Sequence, residues 1–262
     1  ITHYKWIKQF VNMTKKYQPD SCVIVGNSVA GAIPDLFLNK TKGDIVVTGE
    51  GEISAYEAVE AVRLGKDLKT VTGISFRNDD GTITTTEHRK VGDINDFPFI
   101  NWDYFDIERY INQKVKIPSI SDLPNQEMIR SMPIISARGC AFRCSFCHFV
   151  YWDDPYRNRT PESILGEIKY LIEKYNVNHI DFFDDLTFAS AHQVVKLCDA
   201  IEKSGLKFKW SASIRVDLFS RAKLSFDDSL KVAKRMKANG CIASGFALES
   251  GNKEILKMMN KE

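Results

Sequence analysis

Hydrophobic positions in this chain fall into two α/β alternations separated by a stretch with no period. In residues 3–17, Trp6, Phe10, Met13 and Tyr17 recur at helical spacing, with Ile7 and Val11 read as widening the same face before Pro19; this predicts an amphipathic helix. Cys22 to Val25 is a short, unbroken apolar run that stops at Gly26-Asn27-Ser28, the pattern of a strand buried on both faces with a loop at its carboxyl end. Pro34 suits the first turn of a short helix to Leu38. Asp44 to Thr48 repeats the buried-strand pattern, and Gly49-Glu50-Gly51-Glu52 leads into a helix through Tyr56, Val59 and Val62. An α-β-α-β-α order predicts a parallel sheet with helices on both faces and ligands beyond the strands' carboxyl ends, where Gly26 to Ser28 and Gly49 to Glu52 lie. Ile74 to Asn78 and Thr82 to Glu87 flank Asp79-Asp80-Gly81, a strong hairpin signal.

From His88 to Arg130 the period fades among Pro98, Pro118, Pro124 and aromatics such as Phe97, Phe99, Trp102, Tyr104 and Phe105. So many aromatics suit a strap packed on a domain surface better than a solvated tether. Pro133 to Ala137 is the next apolar run. Thr160-Pro161-Glu162 then opens a helix whose buried face is Ile164, Ile168, Leu171 and Ile172. Strands at His179 to Phe183, Phe208 to Ile214 and Cys241 to Leu248 alternate with helices at Ala191 to Glu202 and Asp227 to Ala238. Four β-α units in this order follow the grammar of a β/α barrel, complete or partial, with active groups at the carboxyl ends of its strands.

Composition changes little. The 262 residues suit two domains, and 44% hydrophobic with 27% charged is ordinary for a soluble protein. Lys plus Arg total 36 against 34 Asp plus Glu, so a net charge of +2 points neither to nucleic acid nor to an acidic partner. No apolar run approaches the ~20 residues of a membrane helix. Six cysteines, half of them in one motif, suit a reducing cytoplasm better than a disulfide framework.

That motif is the densest chemistry in the chain. Arg138 to His148 reads R-G-C-A-F-R-C-S-F-C-H and sets Cys140, Cys144 and Cys147 in a C-x3-C-x2-C spacing. Three thiolates in one loop can hold three irons of a cubane cluster and leave the fourth open to a substrate. Structural zinc wants four ligands, while Cys22, Cys198 and Cys241 are scattered and His148 abuts Cys147. Cys144 to His148 also matches the haem-attachment pattern, which would need an oxidising compartment and leaves Cys140 without a role.

With Cys140, Cys144, Phe146 and Cys147 at the end of a first barrel strand, the sequence resembles the radical S-adenosylmethionine (radical SAM) superfamily. Phe183 to Phe188, F-D-D-L-T-F, looks like the segment that meets the SAM amino group; Ser211, Ser213 and Arg215 stand at the third strand's end. Gly245 to Gly251, G-F-A-L-E-S-G, looks like the fourth-strand segment that meets SAM's ribose or methionine. Gly49-Glu50-Gly51-Glu52, the hairpin and Asp93 to Pro98 are similar to the superfamily's cobalamin-binding branch. That branch has paired glycines where this chain reads Gly26-Asn27, and its cobalt-facing D-x-H-x-x-G motif, which normally precedes the helix on which this chain opens, does not occur in these residues.

The resemblance implies an α/β chain in two parts. Residues 1–87 are expected to be the carboxyl-terminal half of a doubly wound, Rossmann-like cobalamin domain, 88–130 a linker strap, and 131–262 the first four units of a TIM-type barrel core of about six. Both ends are thus expected to lie inside a longer protein. A 4Fe-4S cluster is expected on Cys140, Cys144 and Cys147, with SAM against Phe146, Asp184, Asp185, Ser213, Arg215 and Glu249. Cobalamin is expected against Gly26, Asn27, Ser28, Gly49 and Glu50. The implied activity is reductive SAM cleavage to a 5'-deoxyadenosyl radical, with cobalamin-dependent methyl transfer to an unactivated carbon or, alternatively, a cobalamin-assisted cyclisation or rearrangement. A non-catalytic binding or electron-transfer module is the rival from another class. The partners implied are a small-molecule substrate and a one-electron donor such as flavodoxin or ferredoxin.

Each position also has a plainer role open to it. Phe146 could be a core aromatic, one of Asp184 and Asp185 could cap the following helix, and Arg215 could be a surface ion-pair partner. Cys198 and Cys241 read as inert buried thiols. Tyr151, Trp152, Arg157 and Arg159 are either a rim over the site or a solvated loop.

Overall fold

The computed structural model describes residues 4–111, 129–147, 154–221 and 223–261. The chain divides into two compact units, one holding the described residues of Ile1–Val91 and His148–Asp154, the other those of Gly92–Cys147 and Pro155–Glu262. No helix among the described residues is long and apolar enough to cross a membrane.

The first unit runs α1 (Tyr4–Tyr17), β1 (Ile24–Val25), α2 (Asn27–Ala32), α3 (Pro34–Lys40), β2 (Ile45–Val47), α4 (Gly51–Leu64), β3 (Ile74–Arg77) and β4 (Ile83–Thr85). Its sheet order is β1-β2-β3-β4. β1 and β2 are parallel, as the alternation predicts, but β3 joins antiparallel to β2 and turns into β4 at Gly81, which takes a positive φ of 84°. The run Cys22 to Val25 yields only a two-residue strand, half-buried rather than buried on both faces: among the described residues β1 pairs only with β2, and Cys22 is exposed. Instead of a loop after Gly26, α2 begins at once at Asn27.

The apolar face of α1 is not the one expected. Tyr4 and Ile7 pack toward Phe37, Leu38 and Val46 and Val11 is buried, whereas Trp6, Phe10, Met13 and Tyr17 are each more than half exposed. At about 100° per residue the two sets are centred roughly 120° apart around the helix, so Ile7 and Val11 form a second stripe rather than widening the first. In α4 the exposed residues are Tyr56, Val59 and Val62, and the buried ones are Ser54, Ala58 and Ala61. Small side chains let this helix lie close on Ile45, Val47 and Ile74.

The second unit holds α5 (Ile107–Ile111), β5 (Ser131–Ile134), β6 (Ala137–Arg138), β7 (Arg157–Asn158), α6 (Pro161–Tyr175), β8 (His179–Phe182), α7 (Ala191–Ser204), β9 (Lys209–Ile214), α8 (Leu218–Arg221), α9 (Phe226–Ala238), β10 (Cys241–Phe246) and α10 (Lys253–Met258). Its main sheet is parallel, in the order β10-β9-β8-β5. Strands that succeed each other in the chain are neighbours, the winding of a barrel, in contrast to a doubly wound sheet whose order reverses. Alternation sorts the strand residues. Met132, Ile134, Ile180, Phe182, Trp210, Ala212 and Ile214 join one core with Ile164, Ile168 and Leu171 of α6, Val194 and Leu197 of α7 and Met236 of α9. Thr160 caps α6 by accepting from Ser163 N, with Pro161 next, as predicted.

The other face carries polar pairs, Ser131 Oγ with His179 Nδ1 at 2.8 Å and Ser211 Oγ donating to Asp181 Oδ1 at 2.7 Å. The strap packs through Ile94, which is buried, and through Phe97 and Phe99, which lie under the guanidinium groups of Arg138 and Arg159. Its later part, residues 112–128, lies outside the described residues.

Arg159 is neither rim nor solvated loop. It is buried in an ion pair with Glu167 on α6 and donates to Ile135 O at 3.1 Å and to Ser163 O at 2.9 Å. Arg157 donates to Gly92 O at 2.9 Å, while Tyr151, Trp152 and His148 lie outside the described residues. Cys198 is buried, and its thiol is pushed up to about 11 by desolvation, as suits an inert group.

Candidate functional site

The expected strand from Pro133 to Ala137 breaks after Ile134, and the break has a chemical cause. Asp184, just past β8, accepts from Ser136 N at 2.7 Å, Ser136 Oγ at 2.6 Å and Ala137 N at 3.0 Å. Burial pushes this carboxyl up from the usual range, and the bonds from Ser136 and Ala137 pull against that. Asp184 therefore fastens the peptide that enters the cysteine loop. The loop is closed at its base by the β6/β7 ribbon, which pairs Ala137 with Asn158 and Arg138 with Arg157. At the turn into the loop, Gly139 has a φ of 78°, and a Cβ there would sit 3.2 Å from Pro155 O. Only glycine takes that conformation at so close an approach without strain.

Cys140 and Cys144 are half-buried and Cys147 is exposed, with Cys147 N donating to Cys144 O at 3.0 Å. The loop is also latched from the far end of the unit. Ser145 N donates to Met259 O at 2.9 Å, Ser145 Oγ to Met258 O at 3.1 Å, and Asn260 Nδ2 to Arg143 O at 2.7 Å. Asn260, just after α10, adopts a φ of 51°, the left-handed turn in which asparagine is tolerated.

Among the described residues, no three His, Cys, Asp or Glu side chains converge on a point where one metal ion could sit. Tetrahedral zinc would need such convergence, since Zn–S bonds of ~2.3 Å bring their thiolates close together. A cubane cluster does not, because each thiolate takes a different iron. Three thiols on one loop, with the Arg215 guanidinium 3.7 Å from the Cys144 sulfur, thus fit a cluster as a donor set. Burial pushes the Cys140 and Cys147 thiols up, so metal binding there displaces protons.

The residues expected around SAM lie at or near the carboxyl ends of successive strands, but they are engaged differently. Asp185 is exposed, yet the chain around it desolvates its carboxyl enough to push its pKa up. It lies within electrostatic reach of Cys140 and Cys147. Ser213 is exposed near the end of β9, opposite Gly245 of β10. Glu249 has a positive φ of 60°, and its carboxylate accepts from Lys261 Nζ at 2.8 Å. That ammonium lies 5.6 Å over the ring of Phe146, which is exposed rather than in the core. Arg215 grips Asp217 through Nε at 2.9 Å and Nη2 at 3.0 Å.

In the first unit, parallel pairing of Ile24 with Ile45 puts the Gly26 and Gly49 loops at one end of the sheet. Gly26 is extended, with no atom within 4 Å of where a Cβ would stand. Asn27 opens α2, and Ser28 is exposed on its first turn. Gly49 has a φ of 77°, and Glu50 is the N-cap residue of α4. Beside Gly49 stands a pair that periodicity cannot show: His88 Nε2 lies 3.0 Å from Oδ1 of the buried Asp154, and the His88 ring reaches within 3.1 Å of a Gly49 Cβ position.

Residues 134–262 match the model of the Radical SAM superfamily. An uncharacterized methyltransferase of Pyrococcus horikoshii is 25% identical over 95% of this chain and half of its own length. The anaerobic magnesium-protoporphyrin IX monomethyl ester cyclase of Rubrivivax gelatinosus is 26% identical over 96% of this chain and 43% of its own. The chain therefore spans about half the length of these curated relatives. Among solved structures, the cobalamin-dependent S-adenosylmethionine radical enzyme OxsB with aqua-cobalamin bound superposes with a TM-score of 0.71 at 18% identity, over 99% of this chain and 36% of that one. That likeness establishes the fold, a Rossmann-like unit followed by barrel strands. With the cysteine loop closing the first strand of a singly wound parallel sheet, and the family model running from the last residue of that strand onward, residues 134–262 belong to the radical SAM superfamily.

Proposed function

We propose that this protein is a radical SAM enzyme that holds a 4Fe-4S cluster on Cys140, Cys144 and Cys147 and transfers a methyl group, with cobalamin, to an unactivated carbon of a small molecule. The observation that carries the proposal is the loop itself: three thiols and no convergent fourth ligand among the described residues, pinned by Asp184 at its entry and by Met259 and Asn260 at its crest. The chemistry supplied there is one-electron reductive cleavage of SAM's carbon–sulfur bond. Asp185 would accept from the SAM amino group, since Asp184 is committed to the chain. Ser213 and Glu249 would orient the remainder of SAM, and Phe146 would exclude water from the loop's open side.

In this reading residues 1–87 supply the cobalamin loops, 88–130 join the two parts and 131–262 supply the core. The methyltransferase among the relatives supports methyl transfer. The cyclase among them keeps a cobalamin-assisted ring closure as the second reading. A flavodoxin or ferredoxin would serve as electron donor. Dithionite-reduced full-length protein should release 5'-deoxyadenosine from SAM. Asp185→Asn should weaken SAM binding about tenfold or more, as expected for loss of a charged hydrogen bond, with iron content unchanged. If reduced protein neither binds nor cleaves SAM, it is a carrier rather than an enzyme.

For cobalamin, the test lies at Gly26. No atom lies within 4 Å of a Cβ placed there, so a side chain at this position starts into open space and reports on ligand approach. Full-length protein should bind hydroxocobalamin, and Gly26→Phe should weaken that binding with no change in thermal stability. Equal affinity in both proteins would remove Gly26 from the site, and no affinity in either would remove cobalamin.

A further inference from the structure

We propose that Arg215 raises the reduction potential of the iron–sulfur cluster through Cys144, and that Asp217 opposes it. This rests on the cluster reading above and assigns Arg215 a different role from holding SAM. Its guanidinium is fixed on three sides. The ring of Phe142 lies against it at 3.8 Å from ring centroid to Cζ, and Asp217 takes Nε and Nη2 in a two-point grip. Nη1 is aimed at Cys144 Sγ at 3.7 Å. Phe142 and Cys144 belong to the same loop, so the stack sets the guanidinium's position relative to the sulfur it faces. A lysine could offer charge but not this geometry, because only a planar fork can grip a carboxylate with two nitrogens while a third points elsewhere.

The electrostatic consequence has a definite sign. Reduction adds one negative charge to the cluster, and hydrogen bonds to its sulfurs together with nearby cations stabilise that charge. Arg215 and Asp217 are only 11% and 14% exposed, so water screens them weakly. The cation and its N–H···S contact favour the reduced state, and the carboxylate behind them disfavours it. Removing each should therefore move the potential in opposite directions.

The test is potentiometry of reconstituted full-length protein without SAM, followed by the spin signal of the reduced cluster. Arg215→Gln is expected to lower the potential so that, at a fixed poise, the ratio of reduced to oxidised cluster falls at least tenfold, which is 59 mV for a one-electron couple. Asp217→Asn is expected to raise the potential. Arg215→Lys, which keeps the charge and loses the fork, should fall between Arg215→Gln and the parent. Should Arg215→Gln fail to load iron, Asp217→Asn and Arg215→Lys still fix the sign. Shifts in one common direction, or none, overturn the proposal. Weakened SAM binding at an unchanged potential also overturns it and returns Arg215 to a SAM-holding role. If the parent protein takes up no cluster, the reading beneath the proposal fails, and that outcome is distinct from a loaded cluster whose potential does not move.

Discussion

Anaerobically reconstituted protein with Cys140, Cys144 and Cys147 all replaced by alanine is expected to carry no iron or sulfide and to lose the broad visible absorbance of the parent. The effect should be all-or-none, because the three thiols are the only cysteines on this loop and the described residues offer no convergent ligand set elsewhere to replace them. Alanine at Cys198 or Cys241 should leave iron content unchanged, since one is buried in the helical core and the other is half-buried in β10. Because the loop is held by Asp184, the β6/β7 ribbon and Asn260 rather than by metal alone, the alanine variant should still fold. Near-unchanged circular dichroism with zero iron would separate ligand loss from collapse. Stoichiometric zinc without iron in the parent, or covalent haem, would refute the cluster.

Glu167→Gln should cost about 3–5 kcal/mol of stability, the usual penalty for leaving one charge of a buried pair without its counter-ion. Arg159 and Glu167 are 8% and 7% exposed, and the guanidinium is further tied to Ser163 and Ile135 O, so it cannot turn to water. The substitution keeps volume and removes only charge, so a lowered urea midpoint at constant slope is the expected signature. The double change Arg159→Met with Glu167→Leu should recover most of the loss, because apolar residues of similar volume satisfy a dry site without desolvating ions. A loss below about 1 kcal/mol for Glu167→Gln would place the pair in the class of solvated surface bridges.

What the chain's periodicity revealed depends on how each element is buried. The helices of the second unit bury one face against a parallel sheet, so Ile164, Ile168 and Leu171, or Val194, Leu197 and Ile201, stand out at helical spacing. α1 carries two separate apolar stripes, and nothing local says which of them the core takes. α4 is inverted for a related reason: close packing on β2 selects Ala58 and Ala61, and the larger residues are left outside. The cysteines were legible because all three lie on one loop. Asp184 and Asp185 are adjacent and chemically identical, and only the distant Ser136 decides which is structural. Arg215 and Asp217, two residues apart, could have been read as a local pair, but the stack on Phe142 could not. His88 with Asp154 spans 66 residues and leaves no trace in periodicity.

The latch on the cysteine loop also sets a timetable. Arg143 and Ser145 are fastened by Asn260, Met258 and Met259, partners 117 and 113 positions along the chain for Arg143–Asn260 and Ser145–Met258. At ~5–20 residues per second, a ribosome delivers those partners roughly 6–23 s after the loop itself is made. Throughout that interval the three thiols are exposed on a loop fastened at its entry at most, open to oxidation and to adventitious metal. A cluster that requires the latched loop can therefore be inserted only after α10 has been made.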